Sequence, residues 1–328
     1  MGNNWLSADK KYDDAVLAGR NDVANHHVDC TAEEICKRSL GISLAELAKM
    51  LEYVEVINPD FKLEGTGIEL GAGAGLLSTE VLLQFSQVER LYAVEISGEH
   101  VLKIMPSVAS QRLTPVSSDK LYPVIGDFND IHLESESLDF AIEINSLHHS
   151  NDLKITLNEI FRLMKPGAKL VFFDRSHPDF TTSEDIERML NLEYNIASLE
   201  GIGFRPGTKM TRRDNGEHEY RVKDWSSYFT DAGFTVSNIV NIGERFSLSK
   251  VIRASVARTP MFLRFLMFHF VGLFTDSRAT ELLIDEDIRP RNGEFLYQFG
   301  NIPKYKRYPF KRKMTVFLLK KPNLNPGS

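Results

Sequence analysis

Glu69-Leu70-Gly71-Ala72-Gly73-Ala74-Gly75 is the stretch on which the fold turns. A short apolar run, 67–70, ends in three alternating glycines, and a helical period starts at Leu76. A strand that passes into a helix this way can bend sharply and approach a ligand closely, with free N–H groups of the helix turned toward it. The turn alone is weak, because nicotinamide and flavin proteins use it as G-x-G-x-x-G. Here Leu76 occupies the third-glycine position of that fingerprint. Glu69 would repel a pyrophosphate and attract a cationic methionyl amino group, so charge favours a sulfonium cofactor. Glu95, 24 residues after Gly71, closes the next apolar run, where an acid can accept from both ribose hydroxyls.

Working outward, short apolar runs alternate with helical periods between Thr66 and Phe173, the signature of βαβ units and a parallel sheet. Strands are expected at 67–70, 91–95, 122–125, 138–144 and 170–173, a sixth at 234–240 and a last at 314–319. One helix carries Leu153, Leu157, Ile160, Phe161 and Met164 on one face and is expected to stop at Pro166-Gly167. Upstream, 13–51 reads as mostly helical with a break at Gly41. Further helices are expected from Ser183 and from Asp224, the second closed by Gly233.

Two more motifs follow at ordered spacing: Gly126-Asp127-Phe128 after the third strand, and Asn145-Ser146-Leu147-His148-His149 after the fourth. With the glycine turn, Glu95 and the helix-ending Leu163-Met164-Lys165-Pro166-Gly167-Ala168, the chain resembles the class I S-adenosylmethionine-dependent methyltransferases from about 67 to 174, in their small-molecule and lipid group. The resemblance implies a doubly wound, mostly parallel α/β sheet of seven strands with the last antiparallel. It also implies S-adenosyl-L-methionine as cofactor and S-adenosyl-L-homocysteine as product. Glu69, Gly71, Gly73 and Gly75 would cradle the methionyl part, and Glu95 would hold the ribose. Asp127 would take the adenine amino group, Phe128 would lie against the ring, and Asn145 would join the cofactor set. The expected division is a helical segment or lid at 1–60, a cofactor-binding core at 61–242 plus 313–322, and an inserted cap at 243–312 facing the substrate.

Composition narrows the partners. The 328 residues are 42% hydrophobic and 26% charged, as in an ordinary globular protein. A net charge of -6 argues against a surface devoted to nucleic acid. Cys30 and Cys36 are too few for a disulfide framework, and no histidines beside them suggest zinc, so no metal is expected and a reducing cytoplasm fits. The N-terminus lacks the basic flank and apolar run of a signal peptide. The greasiest run, 261–274, contains Arg264 and His269 and is too short to span a bilayer. It reads as a buried cap helix, a homodimer interface, the lining of a pocket for an apolar or lipid-like acceptor, or a segment resting on a membrane surface. Between Lys304 and Lys313 six of ten residues are basic, a patch suited to an anionic acceptor.

Methyl transfer from a sulfonium mainly requires alignment and exclusion of water, with a base where the acceptor must lose a proton. His148 and His149 are the catalytic candidates, with Asp174 and His177 also at strand ends, His218 in a polar stretch and His26-His27 in the N-terminal segment. The pocket-shaping reading of the histidine pair stays open. The expected function is methyl transfer to an O or N atom of a small organic acceptor. The alternatives are an RNA methyltransferase using 304–313 and a non-catalytic cofactor-binding module.

Overall fold

The computed structural model describes residues 3–6, 14–177, 179, 181–242 and 314–323. The 261–274 run, the basic 304–313 stretch and the whole of the expected cap at 243–312 therefore lie outside the described residues. Eight strands form one sheet: β1 (Asn3–Asn4), β2 (Gly65–Leu70), β3 (Val88–Glu95), β4 (Leu121–Ile125), β5 (Leu138–Ile144), β6 (Met164–Asp174), β7 (Thr235–Ile242) and β8 (Met314–Lys320). Their order is β1-β4-β3-β2-β5-β6-β8-β7. β8 runs antiparallel to β6 and β7, and the other pairs are parallel.

Seven of these strands are the expected ones, and the two-residue β1 adds an edge strand that no periodicity announced. Pro166-Gly167 is a second departure. The helix over 153–163 stops at Leu163, and Met164, expected on its apolar face, already pairs with Leu138. Gly167, at a φ of 80°, and Pro166 lie within a register shift of β6 rather than at the helix end. Proline lacks the amide that a regular ladder needs, so the irregularity sits where it disturbs pairing least.

Ten helices are described. They are α1 (Asp14–His26), α2 (Ala32–Ser39), α3 (Leu44–Ile57), α4 (Leu76–Gln84), α5 (Met105–Arg112), α6 (Pro115–Ser118), α7 (Leu153–Leu163), α8 (Ser183–Leu190), α9 (Ile196–Ile202) and α10 (Val222–Asp231). Capping boxes at Thr31/Glu34 and Ser43/Glu46 start α2 and α3 and split the N-terminal segment at two points, not at Gly41 alone. None of the described helices is long and apolar enough to cross a membrane.

Successive strand residues face opposite sides, and Phe172 and Phe173 show what this does in β6. Phe173 joins Phe140, Ile142, Val171 and Val316 under α2–α5. Phe172 faces the other layer, with Trp225 and Phe229 of α10 at ring distances of 4.6 and 5.1 Å. Both faces of the sheet are therefore covered, which is why its strands read as apolar runs rather than alternating ones.

α1 packs on α9 through Val23, Leu199 and Phe204. A Cβ at Gly19 would come 2.9 Å from the Phe204 ring, so glycine permits the close contact. Just past this helix His27 is 1% exposed, with His26 and His100 ring centroids at 6.1 and 6.5 Å. Burial first, then the charges of His100, His26 and Arg38, lowers the His27 imidazole from 6.5 to about 4. The folded protein then binds fewer protons than the unfolded chain between these values, so stability falls as pH drops from 6.5 toward 4. Equilibrium denaturation of the wild type should lose roughly 3 kcal/mol to this group across that window, and His27→Leu should flatten the slope.

Candidate active site

The carboxyl ends of β2, β3, β4, β5 and β6 open on one edge of the sheet, where open α/β folds bind ligands. β2 stands between β3 and β5, and the loops that follow it set the cleft. A Cβ at Gly71 would lie 2.5 Å from that of Ser146, so only glycine lets the loop pass the end of β5. Gly73 has φ 50°, and a Cβ there would meet nothing within 4 Å, which leaves that side of the turn open for a ligand. Gly75 caps α4 in the left-handed region.

Glu95 lies under this turn. One carboxylate oxygen accepts from the Gly73 amide at 2.9 Å and the other from the Ser97 amide at 2.9 Å. Glu69 is different. It is 1% exposed and bonded to the Ser78 hydroxyl of α4, and burial raises its carboxyl from 4.5 to about 8. Its bond to Ser78 ties the end of β2 to α4 behind the glycine turn. Asp127 accepts from the Asn129 amide at 2.8 Å, and the half-buried Phe128 packs against the same core cluster as Trp5. Trp5, adjacent to Gly126, belongs to the edge segment that sequence periodicity missed.

On the other flank Asn145 adopts φ 54°, and its amide donates to the Phe173 carbonyl at 2.7 Å. The Ser146 hydroxyl donates to the Leu70 carbonyl at 2.7 Å, joining the ends of β5 and β2. Glu143, fully buried, accepts from the Ser146 amide and hydroxyl, each at 3.0 Å. Burial, then the nearby Asp174 charge, pushes the Glu143 carboxyl well above its ordinary value.

That turn delivers His148 to Asp174 at the end of β6. His148 Nδ1 lies 2.8 and 2.9 Å from the two Asp174 oxygens, and both side chains are buried. The His149 ring lies beside it, tilted by 40° with centroids 4.2 Å apart. Burial, then the charge of Arg20, lowers the His149 imidazole well below its ordinary value. Asp174 and His149 thus meet His148 directly, whereas His26 and His27 lie apart with His100.

His177 and His218 belong to the same wall. His177 Nε2 is 2.5 Å from Glu219, and the His218 amide donates to the His148 carbonyl at 2.8 Å. Arg175 pairs with Glu217 and Glu219, Arg212 with Glu219, and the Tyr194 hydroxyl with Glu217. Burial would raise the Glu219 carboxyl, but Arg175, His177 and Arg212 outweigh it and hold the group well below its usual range. Arg20, Glu143 and the Arg175–Glu217–Glu219 cluster were absent from the sequence-based set. Among the described residues, His148, His149 and Glu217 bring donor atoms within 4.8 Å of one another. Both Glu217 oxygens already serve Arg175, Tyr194 and Asn215, and the neighbouring guanidinium disfavours a metal cation there.

Residues 68–172 match a family profile described as a methyltransferase domain. The match spans 105 of the 328 residues, and over this stretch the chain is similar to methyltransferase domains. The curated relatives it matches include the highly reducing polyketide synthase NEC1 of Pyricularia oryzae, 23% identical over 224 residues, covering 63% of this chain and 7% of that protein. Another is the highly reducing polyketide synthase pks5 of Leptosphaeria maculans, 24% identical over 234 residues, covering 66% and 8%. The chain thus spans a small part of the length of these relatives. Similar solved structures include the YcgJ protein of Bacillus subtilis, with TM-score 0.48, 13% identity and coverage of 85% of this chain and 99% of that one. Haemonchus contortus phosphoethanolamine N-methyltransferase 2 in complex with S-adenosyl-L-methionine has TM-score 0.43, 15% identity and coverage of 83% and 52%.

The state of Glu69 can be measured. The folded protein holds its proton between 4.5 and about 8, where the unfolded chain has released it, so stability falls as pH rises through that window. Denaturant titrations should show Glu69→Gln removing a slope worth roughly 3–5 kcal/mol while leaving stability near pH 5 within about 1 kcal/mol of wild type.

Proposed function

We propose that the chain transfers the methyl group of S-adenosylmethionine to an O or N atom of a small organic acceptor, and that His148, oriented by Asp174, takes the proton the acceptor gives up. The observation that carries this reading is the bidentate approach of Asp174 to His148 Nδ1 at the ends of adjacent strands. An Nδ1–H held by a carboxylate places the basic lone pair on Nε2 and stabilises the imidazolium that forms. His149 is the weaker base, since burial and Arg20 keep it neutral and poorly basic.

The cleft suits the cofactor. The open side of Gly73 admits a ligand against the backbone, and Glu95 is fixed by two amides with oxygen lone pairs left for ribose hydroxyls. Asp127 and Phe128 lie at the next strand end for the adenine, with Asn145 opposite, while Gly71 and Gly75 shape the turn and Glu69 anchors it from behind. When bound, the sulfonium supplies an electrophilic methyl group with a neutral thioether as leaving group. The chain aligns the acceptor, excludes water and receives one proton at His148 Nε2. Acceptor selection by a lid at 1–60 and a cap at 243–312 remains part of this proposal, with 243–312 outside the described residues.

Binding and chemistry are tested separately. Glu95→Ala should weaken S-adenosylhomocysteine binding by roughly 1.5–3 kcal/mol in calorimetry, since bonds to a charged acceptor are lost. A panel of small alcohols, phenols and amines with methyl-labelled cofactor should reveal a transfer. In single turnovers on that acceptor, His148→Gln should slow transfer about 10²–10⁴-fold at unchanged cofactor affinity, and His149→Gln by less than about tenfold. Loss of less than about tenfold for His148 would return catalysis to alignment alone.

A further inference from the structure

Two carboxyl groups grip the turn that carries His148, and the second of them, Asp174, also meets the ring. Glu143, on β5, takes the Ser146 amide and hydroxyl at 3.0 Å and the Leu147 amide at 3.4 Å on a single oxygen, Oε2. Asp174, on β6, takes the amides of His148 at 3.2 Å and Arg175 at 2.7 Å besides His148 Nδ1. Glu143 is the ladder partner of Phe172, and Phe172 and Asp174 point to the same face of β6. The two acids therefore stand one pleat apart on one side of the sheet, where Phe172 and Trp225 are fully buried.

Two carboxylates this close in a dry site cannot both ionise without a large cost, and their partners decide between them. Asp174 has the His148 imidazole and the charge of Arg175, with Tyr220 also facing it. Glu143 is held by amides and a hydroxyl, and its Oε1 has no hydrogen-bond partner among the described residues. A proton count at Ser146 points the same way. Its hydroxyl has one proton for two acceptors, Glu143 Oε2 and the Leu70 carbonyl at 2.7 Å. Both contacts are hydrogen bonds at once only when the Glu143 carboxyl brings a proton of its own. Burial and the Asp174 charge act on it in the same direction.

We propose that Glu143 is a positioning residue for the base, acting through hydrogen bonds and not through charge: it fixes the 145–148 turn so that His148 Nδ1 meets Asp174. The proposal rests on His148 being the base of the transfer. A second carboxylate here would compete with Asp174 for the imidazolium, whereas a hydrogen-bonding acid leaves the negative charge of the pair on Asp174. The proton that His148 receives is then stabilised by one anion, and the geometry of the turn sets where Nε2 points.

The test compares full-length wild type, Glu143→Leu, which removes the hydrogen bonds, and Glu143→Gln, which keeps an acceptor and a donor without a charge. Two readouts are taken on protein that melts cooperatively. One is the proton resonance of the His148 ring N–H held by Asp174, assigned by its loss in His148→Gln. The other is the pH profile of single-turnover transfer, whose acid limb follows the base. Glu143→Leu should displace the resonance and slow transfer about 10–100-fold at unchanged cofactor affinity. Glu143→Gln should recover the resonance and most of the rate, with the acid limb within about 0.3 pH of wild type. An acid limb lowered by about one pH unit or more in Glu143→Gln would show that Glu143 acts as a charge and overturn the proposal. So would a folded Glu143→Leu with wild-type resonance and rate, which would leave Glu143 a packing residue. Should Glu143→Leu not fold, Ser146→Ala takes its place, with a displaced His148 resonance expected and an unchanged one overturning the proposal. Full transfer by His148→Gln would instead sink the base assignment, and the resonance would still decide whether Glu143 places His148 on Asp174.

Discussion

The close crossing of β2 and β5 at the centre of the sheet is the constraint from which the cleft follows. A Cβ at Gly67 would come 2.0 Å from the Phe140 ring, and one at Gly71 2.5 Å from Ser146. Two glycines let the strands and their loops lie against each other, and the Ser146 hydroxyl then reaches the Leu70 carbonyl. Glu143 holds Ser146 from below, and three residues on from Asn145 the chain meets Asp174 through His148. The glycine turn and the histidine are thereby positioned by one junction. A displacement there would move both sides of the cleft together, because interiors this tightly packed relax poorly.

Within a small volume the same residue types are held in opposite states. Glu69 and Glu143 are buried with hydroxyl and amide donors, and desolvation dominates. Glu219 is equally buried, but Arg175, Arg212 and His177 surround it, and the charges dominate. Burial penalises a charge by an amount that one hydroxyl cannot offset and two guanidinium groups can. The site thus has acids with raised carboxyls at the junction of β2 and β5 and a charge-paired cluster behind the histidine pair. The latter laces the segment before α10 to the strand ends and closes one wall of the cleft.

Much of the architecture was legible because each core strand is covered on both faces and reads as an apolar run between turn residues. What escaped was non-periodic. β1 is too short to carry a pattern, and Pro166-Gly167 resembles a helix stop although it lies inside β6. The motifs that carry the resemblance were legible because each is a local turn at a strand end. The charge argument for Glu69 took no account of its environment, since sequence does not reveal that the side chain is buried beside Ser78, which raises its carboxyl.

By itself the sequence determined the strand and helix alternation, the glycine turn that only small residues can make, and the ordered motifs that resemble those of methyltransferase domains. These are set by local backbone geometry and side-chain period, which act over a few residues. Tertiary structure alone decided that Asp174 partners His148 across 26 positions, that Arg20 comes from 129 positions away to rest on His149, and that Glu217 and Glu219 surround Arg175. Such pairings depend on which strand ends the sheet order brings together and how burial and neighbouring charge set each proton, and neither is encoded in a local pattern.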